Sequence, residues 1–417
     1  MTRVAVSPKL VQWARERAHL DVAALAARFP KLPEWERGEV QPTFKQLEAF
    51  ANATHVPFGY LFLPEPPQIP MPIPDFRTLQ NQQLHSTSPD LLDTIYAMQR
   101  RQAWLRENRL ECEAPPLEFV GNARLADDPA AIGREMRRLL GLSDGWAATV
   151  RTWQEAVGAL RNATEAVGVL AVINGVVGNN TRRVLDVEEF RGFALSDAYA
   201  PLIFVNGADA KSAQMFTLAH ELAHLWLGAE GSGLSGFSGI FPDGGDVETF
   251  CDRAAAEFLV PEAELRASWP DVRREQVPFE LLASQFKVSP IVVGRRTMDL
   301  RLVERQYFFE FYESYKQQER KQKQAAVGGG DFYNNQNTRV GRLFATQVIR
   351  AAKEGRIGFK QAYELTGLNG GTFQQYARRL EKSQLPALAQ ELPTFLIDSV
   401  AATGGHLAPT PLQVIGS

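Results

Sequence analysis

The sequence predicts an α+β protein, mostly helical, built from several units around a small sheet. Three features carry this: the chain length, a change of hydrophobic period partway along, and two composition breaks. At 417 residues the chain has room for roughly two to four domains of about 100–200 residues. Hydrophobic residues make up 45% and charged residues 22%, a soluble globular composition that excludes disordered, collagenous and membrane-embedded classes.

Helical spacing governs the first part. Residues 8–63 read as short helices, with Asp21 and Thr43 as N-caps. They run into PEPPQIPMPIP, residues 64–74, where six prolines in eleven positions deny backbone donors and force an extended connector. Three further helices are expected at 89–109, 127–140 and 152–166. The period then shortens: VGVLAV (167–172), RGFAL (191–195) and PLIFV (201–205) are short β-branched or apolar runs bounded by Gly, Asn and Pro, which is strand chemistry. Two helices follow, 212–227 ended by Gly228 and 247–259 stopped at Pro261, across a loop rich in Gly, Ser and Asp. After Pro278 the pattern is helical again, broken at Gly328-Gly329-Gly330. The division that results is a helix-turn-helix-like helical domain (1–63), a proline-rich connector (64–88), a helical region (89–166), a core with the sheet (167–275), a helical extension (276–325), a C-terminal helical domain (331–390) and a tail (391–417).

A formal net charge of -3 gives the whole molecule no positive field to draw it onto nucleic acid, so any DNA contact has to come from a local patch. The two cysteines, Cys112 and Cys251, are too few for a disulfide framework and fit a reducing compartment. The N-terminal residues lack a signal-peptide core, and the longest apolar stretch, 166–178, is interrupted by Asn174 and glycines and falls short of the ~20 residues that span a bilayer. A cytoplasmic protein with no membrane partner is expected.

Six histidines occur, and two of them stand four residues apart in FTLAHELAHLWLG. On a helix, His220 and His224 point from one face and can share a tetrahedral metal, with Glu221 one residue round beside them. Two imidazoles and a carboxylate inside so apolar a helix are costly unless something compensates them together, and a metal ion does that. A catalytic zinc wants a third protein ligand. The next helix, DVETFCDRAAAEFLVP, offers Glu248, with Asp252 four residues on to orient a ligand imidazole from behind. Glu257 and Glu262 are the alternatives. Cys251 reads as a small core residue. Zn²⁺ held in this way would let Glu221 act as the base in peptide-bond hydrolysis. PLIFV, just before the metal helix, is expected to be an edge able to hold an extended substrate by strand addition.

The runs FTLAHELAHLWLG and ETFCDRAAAEFLVP resemble the ImmA/IrrE family of bacterial metallopeptidases, and LPEWERGEVQPTFKQLEAFANATHVPFGYLFLPEPP with PIPDFRTL resembles the subfamily that adds an N-terminal XRE-type helix-turn-helix domain. The resemblance implies a zincin-like core with His220, His224 and Glu248 as ligands and Glu221 as catalytic base. It also implies a protein substrate: a repressor of stress or mobile-element genes, or a toxin encoded nearby. The alternative function is a DNA- or toxin-binding regulator or antitoxin that keeps its zinc for structure. The N-terminal domain departs from its type. Ala26 and Trp35 stand unusually close, with Pro30 and Pro33 between them, and only Arg28, Lys31 and Arg37 supply charge, so DNA is the weaker partner. Two other stretches, LLASQFKVSPIVVGRRTMDL with Arg295 and Arg296, and GFKQAYELTGLNGGTFQQYARRL, have helix-turn-helix spacing and are read as packing units.

Overall fold

The computed structural model describes residues 3–69, 72–73, 87–228, 233–235, 245–322 and 336–390. The glycine break at 328–330 and the tail 391–417 lie outside the described residues. The N-terminal module holds α1 (Pro8–Arg17), α2 (Val22–Ala26), α3 (Leu32–Glu36) and α4 (Phe44–Thr54). The Asp21 carboxylate accepts from the Ala24 amide, and Thr43 forms a reciprocal capping box with Gln46, satisfying amides that a helix start leaves unpaired. The module has its own core, in which Phe29 and Trp35 both meet the Phe50 ring edge-on. That core consumes α3: the helix is five residues long, opens on Leu32-Pro33, and buries Leu32 and Trp35.

Next come α5 (Pro89–Glu111), α6 (Pro129–Leu139), α7 (Trp146–Thr149) and α8 (Trp153–Ala166). The strands are β1 (Leu170–Asn174), β2 (Val176–Val177), β3 (Asn180–Val184), β4 (Gly192–Leu195), β5 (Leu202–Asn206) and β6 (Gly233–Ser235). β1 starts three residues later than the apolar run suggests, because Gly168 takes φ +95° and turns the chain out of α8. The main sheet has the order β1-β5-β4-β6, with β5 parallel to β1 and antiparallel to β4. This corrects the expectation of an edge: PLIFV forms an interior strand, paired on both sides and buried at all five strand residues, so it has no free backbone groups to offer a substrate. A continuous apolar run is what a strand covered on both faces requires. The short β2–β3 hairpin is too polar for its period to announce it.

Side chains alternate across the main sheet as pleating demands. Ala171, Ile173, Ala194, Ile203 and Val205 face one core. That core is shared with α6, α8, α9 (Lys211–Leu227) and α10 (Gly245–Leu259), and extends into α11 (Glu262–Val272), α12 (Pro278–Phe286) and α13 (Pro290–Asp299). α14 (Arg305–Gln322) packs beyond them, where the Cβ position of Gly294 on α13 meets Phe308. Leu170, Val172, Phe193, Leu195, Leu202 and Phe204 point the other way, into a core completed by α5 and by the last helices, α15 (Arg342–Lys353), α16 (Phe359–Thr366) and α17 (Gly370–Gln390). The segment set apart by composition as a C-terminal domain therefore shares its core with the sheet. Arg101 of α5 ties it down, donating to the carbonyls of Leu365 and Arg339.

Two close approaches yield tests. At Gly133 on α6 an added Cβ would lie 2.5 Å from the Ala254 carbonyl oxygen on α10, so no side chain fits between these helices. Gly133→Ala is expected to lower stability by about 1–3 kcal/mol in chemical denaturation, despite alanine's better helix propensity. Glu165, on α8, is buried against the start of α15. Burial is the main cause that raises its carboxyl to about 7, against the opposing pull of Arg161 and of the Leu343 and Arg342 amides. Its folded-state pKa lies above the unfolded value of 4.5, so its contribution is fully present below that value and is lost as pH rises through about 7. Relative to wild type, Glu165→Gln is expected to gain about 1–3 kcal/mol at pH 8 and little at pH 4.5, read from thermal denaturation at both values.

Candidate metal centre

Every residue of α9 from Gln214 to Leu227 is buried. The helix is therefore enclosed on all sides, and each polar group on it needs a partner inside the protein. His220 and His224 lie one turn apart, and their Nε2 atoms stand 3.0 Å from each other. Glu248 enters from the first turn of α10, its Oε2 lying 3.2 Å from His220 Nε2 and its Oε1 3.6 Å from His224 Nε2. These three residues could hold a metal ion. At zinc–ligand distances of about 2.0–2.2 Å, the edge of a tetrahedron is about 3.3–3.6 Å, so the observed separations are close to those of a coordinating set.

The donor chemistry agrees with the distances. Asp252, one turn beyond Glu248 on α10, lies 2.9 Å from His220 Nδ1. With that nitrogen donating its proton to the carboxylate, the neutral ring turns its Nε2 lone pair toward His224 and Glu248. Two imidazole nitrogens and a carboxylate converging on one buried point repel one another unless a cation or a proton sits among them. Burial opposes charging of the His220 ring, but the hydrogen bonds and charges of Asp252 and Glu248 outweigh it and hold its pKa well above the usual histidine value.

Glu221 is fully buried on the same helix, directed at β4. An added Cβ at Gly192 would lie 3.0 Å from Glu221 Oε1, 2.6 Å from Thr217 Cγ2 and 2.9 Å from the Phe204 carbonyl oxygen. The bare backbone of Gly192 thus lets α9 sit close enough to the sheet for the carboxylate to rest beside the cluster. Sequence reasoning passed over Gly192; a glycine inside an otherwise apolar strand was the available signal, since it marks a close backbone approach.

The alternatives considered for the third ligand go elsewhere. Glu257 is buried in an ion pair with Arg296 of α13 and reaches Arg134 of α6 at 3.5 Å. Glu262 is a surface residue paired with Arg266 at 2.6 Å. Cys251 is wholly buried beside the centre. Burial first, then the charges of Glu248, Glu221 and Asp252, push its thiol well above its usual pKa, which keeps it a neutral core side chain.

Comparison with known proteins matches three segments of the chain, two of which overlap at residues 371–379. Residues 371–415 match the family model of 1-deoxy-D-xylulose-5-phosphate synthase. Curated synthases from Dechloromonas aromatica (68% identical over 31 residues) and Neisseria meningitidis serogroup C (65% over 34 residues) match 7% and 8% of this chain. The matched segment spans 5% of the length of each of these relatives, so it carries nothing of the synthase's activity to this protein. Residues 340–379 match a domain of unknown function. Residues 167–298, which contain His220, Glu221, His224, Glu248 and Asp252, match the family model of the IrrE N-terminal-like domain, Peptidase M78.

Proposed function

We propose that this protein is a cytoplasmic zinc-dependent metalloendopeptidase of the ImmA/IrrE type that hydrolyses a peptide bond in a regulatory, repressor-like protein. The observation that carries the reading is the convergence of His220 Nε2, His224 Nε2 and a Glu248 oxygen within 3.0 to 3.6 Å, with Asp252 behind one ring and Glu221 beside it. His220, His224 and Glu248 are the residues that hold zinc in this reading. When bound, zinc supplies Lewis acidity that polarises a peptide carbonyl and makes a water easier to deprotonate.

The protein's own groups do the rest. The Glu221 carboxylate takes the proton of the attacking water and returns it to the leaving amide nitrogen as the C–N bond breaks. The Gly192 backbone fixes its distance from the cluster. Asp252 holds His220 in the tautomer that presents Nε2 and keeps the ring from rotating away. Among the described residues no helix is long and apolar enough to cross a membrane.

Elemental analysis of protein purified without added zinc is expected to find about one metal ion per chain, and none in His220→Ala. A wild type without metal would sink the reading. Glu221→Gln is expected to retain the metal while cleavage of a proteome-derived peptide library, read by mass spectrometry, falls at least ~100-fold. Undiminished cleavage would remove Glu221 from its role and leave the zinc structural. Asp252→Asn is expected to weaken metal affinity by about 10–100-fold, measured by competition with a chromogenic chelator.

A further inference from the structure

PLIFV has no free side to offer a substrate, but strand addition has another place in this sheet. In the order β1-β5-β4-β6, β5 is paired on both sides and β1 lies beyond it, two strands from β4. The strand that reaches the metal helix is β4: an added Cβ at Gly192 would lie 3.0 Å from Glu221 Oε1. One side of β4 is bonded to β5. Next to Glu221, the backbone groups not already used among β1, β5 and β4 are therefore those on the outer side of β4.

That row is occupied by the chain itself. β6 pairs antiparallel with it, Gly233 opposite Ala194, Leu234 opposite Phe193 and Ser235 opposite Gly192. The hold is weak by construction. β1 and β5 pair over five residues and are buried at each of them, whereas β6 pairs over three and opens on a glycine, which weakens a strand. The run around it, GSGLSGFSG (231–239), contains four glycines, the residue that loses most conformational freedom when it is fixed. In the chain, β6 stands between α9, which carries His220, Glu221 and His224, and α10, which carries Glu248.

The register of this pairing also says where an incoming strand would meet the centre. Residues paired across an antiparallel ladder lie on the same face of the sheet. Ala194 is on the α9 face, and Gly192, two residues before it, is on the same one. A strand seated as β6 is would thus place its residue opposite Gly192 beside the Glu221 carboxylate. Taking the peptidase reading above as its basis, we propose that the substrate binds as an extended segment antiparallel to the outer side of β4, and that β6 occupies this row until the substrate displaces it. The substrate class is a protein with an accessible extended segment of more than three residues, without proline at the pairing positions. Such a segment makes a longer ladder than β6 does and replaces it. A folded surface without one leaves β6 in place.

The test is to tie β6 to β4. In a Cys112→Ser, Glu221→Gln chain, Ala194→Cys with Gly233→Cys puts thiols on paired residues, whose Cα atoms in an antiparallel ladder are about 4.5–5.5 Å apart, within disulfide reach. The probe is the proteome-derived peptide library, with retained peptides identified by mass spectrometry. The reduced protein is expected to retain peptides, and the oxidised protein to retain at least about tenfold less. Hydrogen–deuterium exchange of Glu221→Gln protein reads the exchange of strands directly. Added peptides are expected to speed exchange at 233–235 and to leave 192–194 protected. Failure of the two thiols to join, equal retention by both forms, retention by neither, or unchanged exchange at 233–235 would each overturn the proposal. In the otherwise wild-type chain, Leu234→Pro takes an amide from β6 and is expected to raise cleavage at low peptide concentration about threefold or more, with no change at saturation. A fall in cleavage with the metal retained would make β6 part of the site and would also overturn the proposal. Retention and exchange require neither metal nor turnover, so a protein without metal, or undiminished cleavage by Glu221→Gln, would count against the peptidase reading separately.

Discussion

The structure depends on the need to neutralise a few polar side chains inside a helix that has no solvent-facing side. α9 buries His220, Glu221 and His224 among Met215, Leu218, Leu222, Leu225 and Trp226, at a desolvation cost of several kcal/mol per unpaired charge. Everything around it serves to enclose the helix and to balance those groups. The sheet covers one side, with Gly192 allowing contact at backbone distance. α10 lies on another and brings Glu248 and Asp252 to the imidazoles from a single face, four residues apart. α6 holds α10 in place through a glycine contact that leaves no room for a side chain. The same enclosure that makes the cluster costly when empty is what would make it selective for a cation, because no water layer screens the donors from whatever sits among them.

Much of this was legible in the sequence where the information is local. The i, i+4 histidines, the i, i+4 pair Glu248 and Asp252, and the caps Asp21 and Thr43 are each fixed by helix geometry over a few residues. That Glu248 and Glu257 face opposite ways was legible too, since nine residues of helix turn the latter to the side where Arg296 meets it. What was not legible depends on contacts distant in sequence. Nothing in PLIFV says whether its neighbours lie on one side or both, and β4 and β1 supply the answer from before it in the chain. Gly192 reads as an ordinary strand glycine until Thr217 and Glu221 of α9 are placed beside it. The glycine-rich interruption suggested a separate final domain, yet Val340 and Phe344 complete the core beneath β1, because Leu170 and Val172 need cover on that face.

The same dependence on distant partners decides which arginines matter. Arg295, Arg296, Arg378 and Arg379 look alike in the sequence, each pair in the second helix of a helix-turn-helix-like stretch. Packing divides them. Arg296 is buried against Glu257 and Arg295 pairs with Asp299, and Arg378 and Arg379 are both exposed. A positive charge that the fold has already used cannot attract phosphate, so a count of basic residues is uninformative until their partners are known.

Placing the His220–His224–Glu248 cluster and the last three helices on opposite faces of one sheet has a mechanical consequence. Adjacent residues of β4 serve both sides: Gly192 and Ala194 touch the layer of α9, and Phe193 stacks on Phe204 at 5.1 Å in the core of α15 to α17. Packing at interior density resists independent movement of either side.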